Sequence, residues 1–130
     1  MKKVAFVCVH NSCRSQIAEA LAKKYGYGII EAYSAGTELR NEINQDAVRL
    51  MKDMYAIDME ESQRPKLIDE IPKVDYIITM GCNVVCPTLP YEYESEDWGL
   101  EDPSGKQDEE FIKTIEEIDK KVKKLIENLK

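Results

Sequence analysis

Cys8 and Arg14 stand six positions apart in the segment Cys8-Val9-His10-Asn11-Ser12-Cys13-Arg14-Ser15. A thiol and a guanidinium at that separation suit a covalent reaction on a tetrahedral oxyanion. The backbone N–H groups of a short loop leading into a helix converge on one concavity, and the helix N-terminus adds positive potential there. Residues Val9, His10, Asn11, Ser12, Cys13 and Arg14 therefore read as an anion cradle. Arg14 supplies a planar fork to two anion oxygens, a geometry that Lys cannot reproduce. Cys8 would lie beneath the anion as nucleophile, its thiolate favoured by the same dipoles and by a hydrogen bond from the Ser15 hydroxyl. Four Cys and four Arg in 130 residues give about 0.1 such pairs by chance, and about 0.01 once Ser or Thr must follow, so the spacing is a signal. Cys13 reads as a packing residue, because one nucleophile per anion suffices.

A second pair of thiols, Cys82 and Cys86, lies between Gly81 and Pro87. Reduction of an oxyanion consumes two electrons and hydrolysis of its ester consumes none, so extra thiols on a loop have a purpose in the redox reading alone. Four-thiolate zinc binding suits the spacing poorly, and Arg14 would oppose the cation. With His10 the single histidine, catalytic triads and His-rich metal sites lack material.

These side chains need elements to hold them. Val4 to Val9 is a continuous apolar run of the kind a strand buried on both faces shows. Helical spacing begins at Ser15 and stops at Gly26, so a strand turns into a helix across residues 8 to 15. A second run, Gly28 to Ser34, precedes a helix capped by Asn44 with Ala47, Val48, Met51 and Met54 on one side. Pro65 suits the first turn of a short helix through Leu67 and Ile68. Val74 to Met80 reads as a third strand, followed by an irregular stretch to Lys106. Asp108 to Lys130 carries apolar residues every three or four positions, as a long amphipathic helix does. Strands alternating with helices predict an α/β fold, a three-layer sandwich with a small parallel sheet of about four strands and helices on both faces. Ligands then bind at the carboxyl ends of the strands, where the 8 to 15 turn lies.

The chain of 130 residues suits a single domain, 1–130. A formal charge of −7 repels phosphate backbones, so neither nucleic acid nor an anionic membrane is an expected partner. There is no run long enough for a membrane span and no signal-peptide pattern at the N-terminus, so a cytoplasmic protein is expected, as a monomer.

The Cys-x5-Arg-Ser loop in this α/β order resembles the low-molecular-weight tyrosine phosphatase superfamily. Asn11 to Gln16, Tyr33-Ser34-Ala35-Gly36, the Cys82 and Cys86-Pro87 loop and Trp98 to Lys106 resemble its thioredoxin-coupled arsenate reductase branch in particular. The resemblance implies reduction of arsenate to arsenite, with Cys8 as nucleophile, Arg14 on the oxyanion and Asp102, before Pro103, as the acid. It further implies a relay in which Cys82 attacks Cys8 and Cys86 resolves the disulfide for thioredoxin, with no resident cofactor. The alternative that the same loop implies is a protein-tyrosine or phosphomonoester phosphatase working through phosphocysteine at Cys8. Val9-His10 replaces the Thr-Gly more usual in the branch. Ser104-Gly105-Lys106 replaces the aromatic residues that usually follow Asp-Pro in the phosphatases. The branch's potassium site would draw on Asn11, Glu19 and Ser34, but the Asp that usually completes it is replaced near Pro65, and no metal is expected.

Overall fold

The computed structural model describes residues 1–38, 40–81 and 89–130. Four parallel strands, β1 (Lys2–Cys8), β2 (Ile30–Gly36), β3 (Tyr76–Thr79) and β4 (Glu94–Asp97), form one sheet in the order β2-β1-β3-β4. The apolar run at the N-terminus becomes the central β1 because its alternate residues are buried on opposite faces. Val4, Phe6 and Cys8 join one cluster and Ala5 and Val7 another.

Three helices, α1 (Arg14–Tyr25), α2 (Gln45–Tyr55) and α3 (Asp108–Leu129), turn their apolar stripes into the cluster around Val4 and Phe6. Ile17 and Leu21 of α1 meet Phe111, Ile115, Ile118 and Val122 of α3 there. The Asn44 side chain accepts from Ala47 N at 3.1 Å and caps α2, as its residue type predicts. Asp119 of α3 accepts from Tyr25 Oη at 2.6 Å and Tyr55 Oη at 2.8 Å and pairs with Lys123 at 3.0 Å, so one carboxylate ties all three helices.

The three-layer arrangement has unequal faces. The chain crosses from β2 to β3 over the Ala5 and Val7 face, where Ile68 and Ile71 cover the sheet from a short 3-10 turn, Ile68–Glu70. The short helix therefore starts later than Pro65 suggests. Lys66 N donates to Asn11 Oδ1, Lys66 O accepts from Gly36 N at 2.8 Å, and Leu67 bridges Gly36. Backbone pinned on both edges in this way stays extended. Met54 is another departure, lying at the exposed edge of α2 and not in its buried stripe.

β4 lies within the stretch that reads as irregular. Its four residues, Glu94, Ser95, Glu96 and Asp97, are all exposed and have no apolar alternation to announce a strand. Pairing with β3 alone makes it, helped by a Thr79 hydroxyl bond to Asp97 at 2.8 Å. Among the described residues, no helix is long and apolar enough to cross a membrane.

Candidate active site

Cys8 ends β1 and Arg14 begins α1, so the intervening loop sits at the carboxyl edge of the sheet. Cys8 Sγ is 2.8 Å from Ser15 Oγ, both buried. Asn11 Nδ2 donates to the same Ser15 oxygen at 2.8 Å, which leaves the Ser15 hydrogen directed at sulfur. Asn11 adopts the left-handed conformation, with φ of 53°, which asparagine tolerates better than most residues. Its Oδ1 accepts from Gln16 Nε2 and Lys66 N, each at 3.0 Å. Gln63 in turn donates to Gln16 Oε1 at 2.7 Å. A line of side chains thus runs from Gln63 through Gln16, Asn11 and Ser15 to the Cys8 sulfur. Gln63 lies 47 positions from Gln16, and no spacing in the sequence could connect them.

The other side of the loop rests on the end of β2. Val9 O accepts from Thr37 N at 2.9 Å and Glu38 N at 2.8 Å, and Asn44 N donates to Ser12 O at 2.7 Å. His10 Nε2 lies 3.0 Å from Glu38 Oε2 at the rim. Arg14 is buried, and its Nη1 donates to Leu100 O at 2.7 Å and Met80 O at 3.2 Å. The chains following β3 and β4 approach closely enough for this because Gly81, at φ of +100°, has no Cβ to strike Gly99 Cα at 2.7 Å.

Cys8, His10, Arg14 and Asp102 line a cavity of about 730 Å³ together with Arg40 and Asn44. This is more room than one tetrahedral oxyanion fills. Arg40 belongs to the sequence between β2 and α2, where nothing but its charge marks it as part of the site. Burial pushes the Asp102 carboxyl up, but the Ser104 N–H at 3.0 Å, the Ser104 hydroxyl, Arg14 and His10 outweigh it and hold the group below the usual carboxylate range. Cys13 is buried beside the cavity. Burial first, then Asp102 and Cys8, push its thiol up to about 12, so it stays protonated and packs, in keeping with its sequence reading. Cys82 and Cys86 lie outside the described residues.

Glu19 and Ser34 do come together behind the loop, Asn11 bonds Gln16 and Lys66 N beside them, and the side-chain oxygens of all three already have partners. Glu19 accepts from the Ser34 hydroxyl, and Lys23 Nζ lies 2.5 Å and Lys66 Nζ 3.5 Å from its carboxylate. Two ammonium groups on one carboxylate leave no net negative charge for potassium, so these residues do not fit that ion. Among the described residues no group of three His, Cys, Asp or Glu is arranged to hold a metal.

Known proteins are similar to this chain in sequence and in fold. An arsenate reductase of Brevibacillus brevis is 40% identical over 130 residues, covering 97% of this chain and 95% of that protein. The structure of an arsenate reductase in the phosphate binding state superposes with a TM-score of 0.87 at 36% identity, covering both chains completely. A thioredoxin-dependent arsenate reductase from Corynebacterium glutamicum gives a TM-score of 0.79 at 34% identity, over 99% of this chain and 62% of that one. A low molecular weight protein tyrosine phosphatase from T. tengcongensis gives 0.82 at 27% identity, over 99% of this chain and all of its own. The family model described as low molecular weight phosphotyrosine protein phosphatase matches residues 3–130. A match of that extent, with close relatives spanning the same residues, makes this chain a member of the low molecular weight phosphotyrosine protein phosphatase family.

Proposed function

We propose that the protein is a thioredoxin-dependent arsenate reductase, acting as a monomeric single domain in the cytoplasm without a resident cofactor. The observation that carries the reading is the Cys8 Sγ to Ser15 Oγ contact of 2.8 Å beside Arg14, in the cavity that Asp102 also lines, in a chain whose sequence holds two further thiols at Cys82 and Cys86. Relatives 35 to 40% identical that are named arsenate reductase support it.

Arsenate docks on the N–H groups of residues 9 to 14 and on Arg14. The Cys8 thiolate attacks arsenic, an As–O bond breaks, and Asp102 passes its proton to the departing oxygen, which leaves as water. A bound oxyanion offsets the charge of Arg14 and adds its own, which raises Asp102 toward the protonated form this step needs. The Cys82 thiolate then attacks Cys8 Sγ. The S–As electron pair stays with arsenic, which leaves as arsenite, and a Cys8–Cys82 disulfide remains. Cys86 attacks Cys82, freeing Cys8, and the dithiol of thioredoxin reduces the Cys82–Cys86 disulfide.

A phosphomonoesterase activity at the same Cys8 is the second reading, favoured by the size of the cavity, which extends past the loop to Arg40 and Asn44. Water then replaces Cys82 as the acceptor. The deciding experiment follows NADPH oxidation by the reduced protein with thioredoxin and thioredoxin reductase, with and without arsenate, beside hydrolysis of an aryl phosphate. Arsenate-dependent consumption is expected, and it should stop in Cys82→Ser and Cys86→Ser while aryl phosphate hydrolysis continues. Aryl phosphate turnover alone overturns the reductase reading, and a Cys86→Ser enzyme that still cycles overturns the relay.

A further inference from the structure

Lys66 touches the active-site loop through its backbone and the helix behind that loop through its side chain. Its backbone N–H donates to Asn11 Oδ1 at 3.0 Å. Its side chain, 15% exposed, runs inward and places Nζ 3.5 Å from Glu19 Oε1 and 3.2 Å from Arg64 O. Glu19 is 3% exposed in the middle of α1, and it also accepts from Ser34, which is fully buried on β2. A carboxylate oxygen, to which the Ser34 hydroxyl is also bonded, and a backbone carbonyl are the kind of oxygen donors that a hard cation takes. An ammonium is similar in size to a potassium ion and donates hydrogen bonds to the same oxygens.

Charge decides which of the two is held. Glu19 contributes one negative charge, and Lys23 and Lys66 both lie on it. An alkali ion added to that set would raise a surplus of one positive charge to two in a buried place, which is costly. Burial outweighs the opposing pull of Glu19 and holds the Lys66 amine below its ordinary value, so it is the contact with Glu19 that limits the fall.

We propose that the Lys66 ammonium is a built-in monovalent cation for the active-site loop, so that this protein holds Asn11, Ser15 and Cys8 in place without potassium. The proposal rests on that loop being the reactive centre, and not on arsenate being its substrate. Lys66 is a positioning residue in this account: its ammonium acts through Glu19 on α1 and through the Arg64 carbonyl, to which Gln16 Nε2 also donates at 3.0 Å while bonding Asn11.

The test compares the wild type, Lys66→Asp and Lys66→Met by thermal melting in KCl and in NaCl at equal ionic strength, with aryl phosphate hydrolysis measured in both salts. The wild type should melt within about 1 °C of the same temperature in either salt. Lys66→Asp should melt lower in NaCl and regain about 3 °C in KCl, because its carboxylate restores a place for the ion. Its hydrolysis, reduced several-fold in NaCl, should recover in KCl. Lys66→Met, which keeps the backbone N–H and loses the charge, should melt below the wild type and regain a smaller, potassium-selective part. It decides the matter should Lys66→Asp not fold. A potassium-selective rise in the wild type overturns the proposal, as does a Lys66→Met protein that melts like the wild type, or variants indifferent to potassium. Because the melts contain no arsenate, failure of the reductase reading leaves them interpretable.

Discussion

Gly36 and Asn11 meet so closely that a Cβ on the glycine would stand 2.9 Å from Asn11 N, and also 2.8 Å from Val9 O. The last residue of β2 is therefore the floor against which the middle of the active-site loop is shaped. Gly36→Ala should displace the loop, lowering kcat/KM for an aryl phosphate by more than tenfold and stability by about 2 kcal/mol. Urea melts beside hydrolysis kinetics separate the two effects. Unchanged kinetics would mean that the loop yields without consequence.

The Ser15 hydroxyl faces the Cys8 sulfur because Asn11 occupies its acceptor side. Ser15→Ala should slow alkylation of Cys8 by iodoacetamide and lower kcat about tenfold, the equivalent of one hydrogen bond to a charged group. Peptide mapping of the alkylated wild type should show label on Cys8 and none on Cys13, whose thiol is pushed up to about 12. Equal labelling of the two would contradict the upward shift of the Cys13 thiol.

Asp102 must be protonated to act as an acid, yet Ser104, Arg14 and His10 hold it low despite its burial. The kcat for an aryl phosphate should therefore fall as pH rises through the value of the bound complex. Asp102→Asn should remove that limb and cost about 10² in rate or more. Ser104→Ala removes a donor to the charged form, so the limb should move to higher pH. A shift to lower pH would show that the hydroxyl serves some other group.

At Asp119, burial alone would raise the carboxyl, but bonds from Tyr25, Lys123 and Tyr55 hold it below its ordinary value. A carboxylate lowered on folding stabilises the protein above the unfolded value of about 3.9 and loses that contribution as pH falls through the folded value. Wild-type stability should therefore drop below about pH 4 more steeply than that of Asp119→Asn. Asp119→Ala should cost about 2 kcal/mol near neutrality, since it removes the shared acceptor of two tyrosines. Parallel melting curves for wild type and Asp119→Asn down to pH 2 would refute the assignment.

β1 was legible in the sequence as a continuous apolar run, and α1 and α3 through apolar residues at helical spacing. Asn44 announced α2 through a local side-chain preference. β4 was not legible, because an exposed acidic edge strand owes its existence to a neighbour 18 residues away, as between Thr79 and Asp97. The loop from Cys8 to Ser15 carries its chemistry within eight consecutive residues, so it could be read directly. Gln63 reaches Gln16 across 47 positions and Lys66 reaches Asn11 across 55, where the chain around Leu67 lies against the end of β2, and the Pro65 turn signal pointed elsewhere.

The Arg14 guanidinium is set in place by backbone carbonyls. With Nη1 fastened to the carbonyls of Leu100 and Met80, the guanidinium loses its rotational freedom when the chain folds, before any anion arrives. The entropy of aligning that donor is thus charged to the fold and not to the ligand. Affinity for oxyanions and conformational stability become linked quantities in this protein. Loosening the turns after β3 or β4 should weaken anion binding even where no residue that touches the anion has changed.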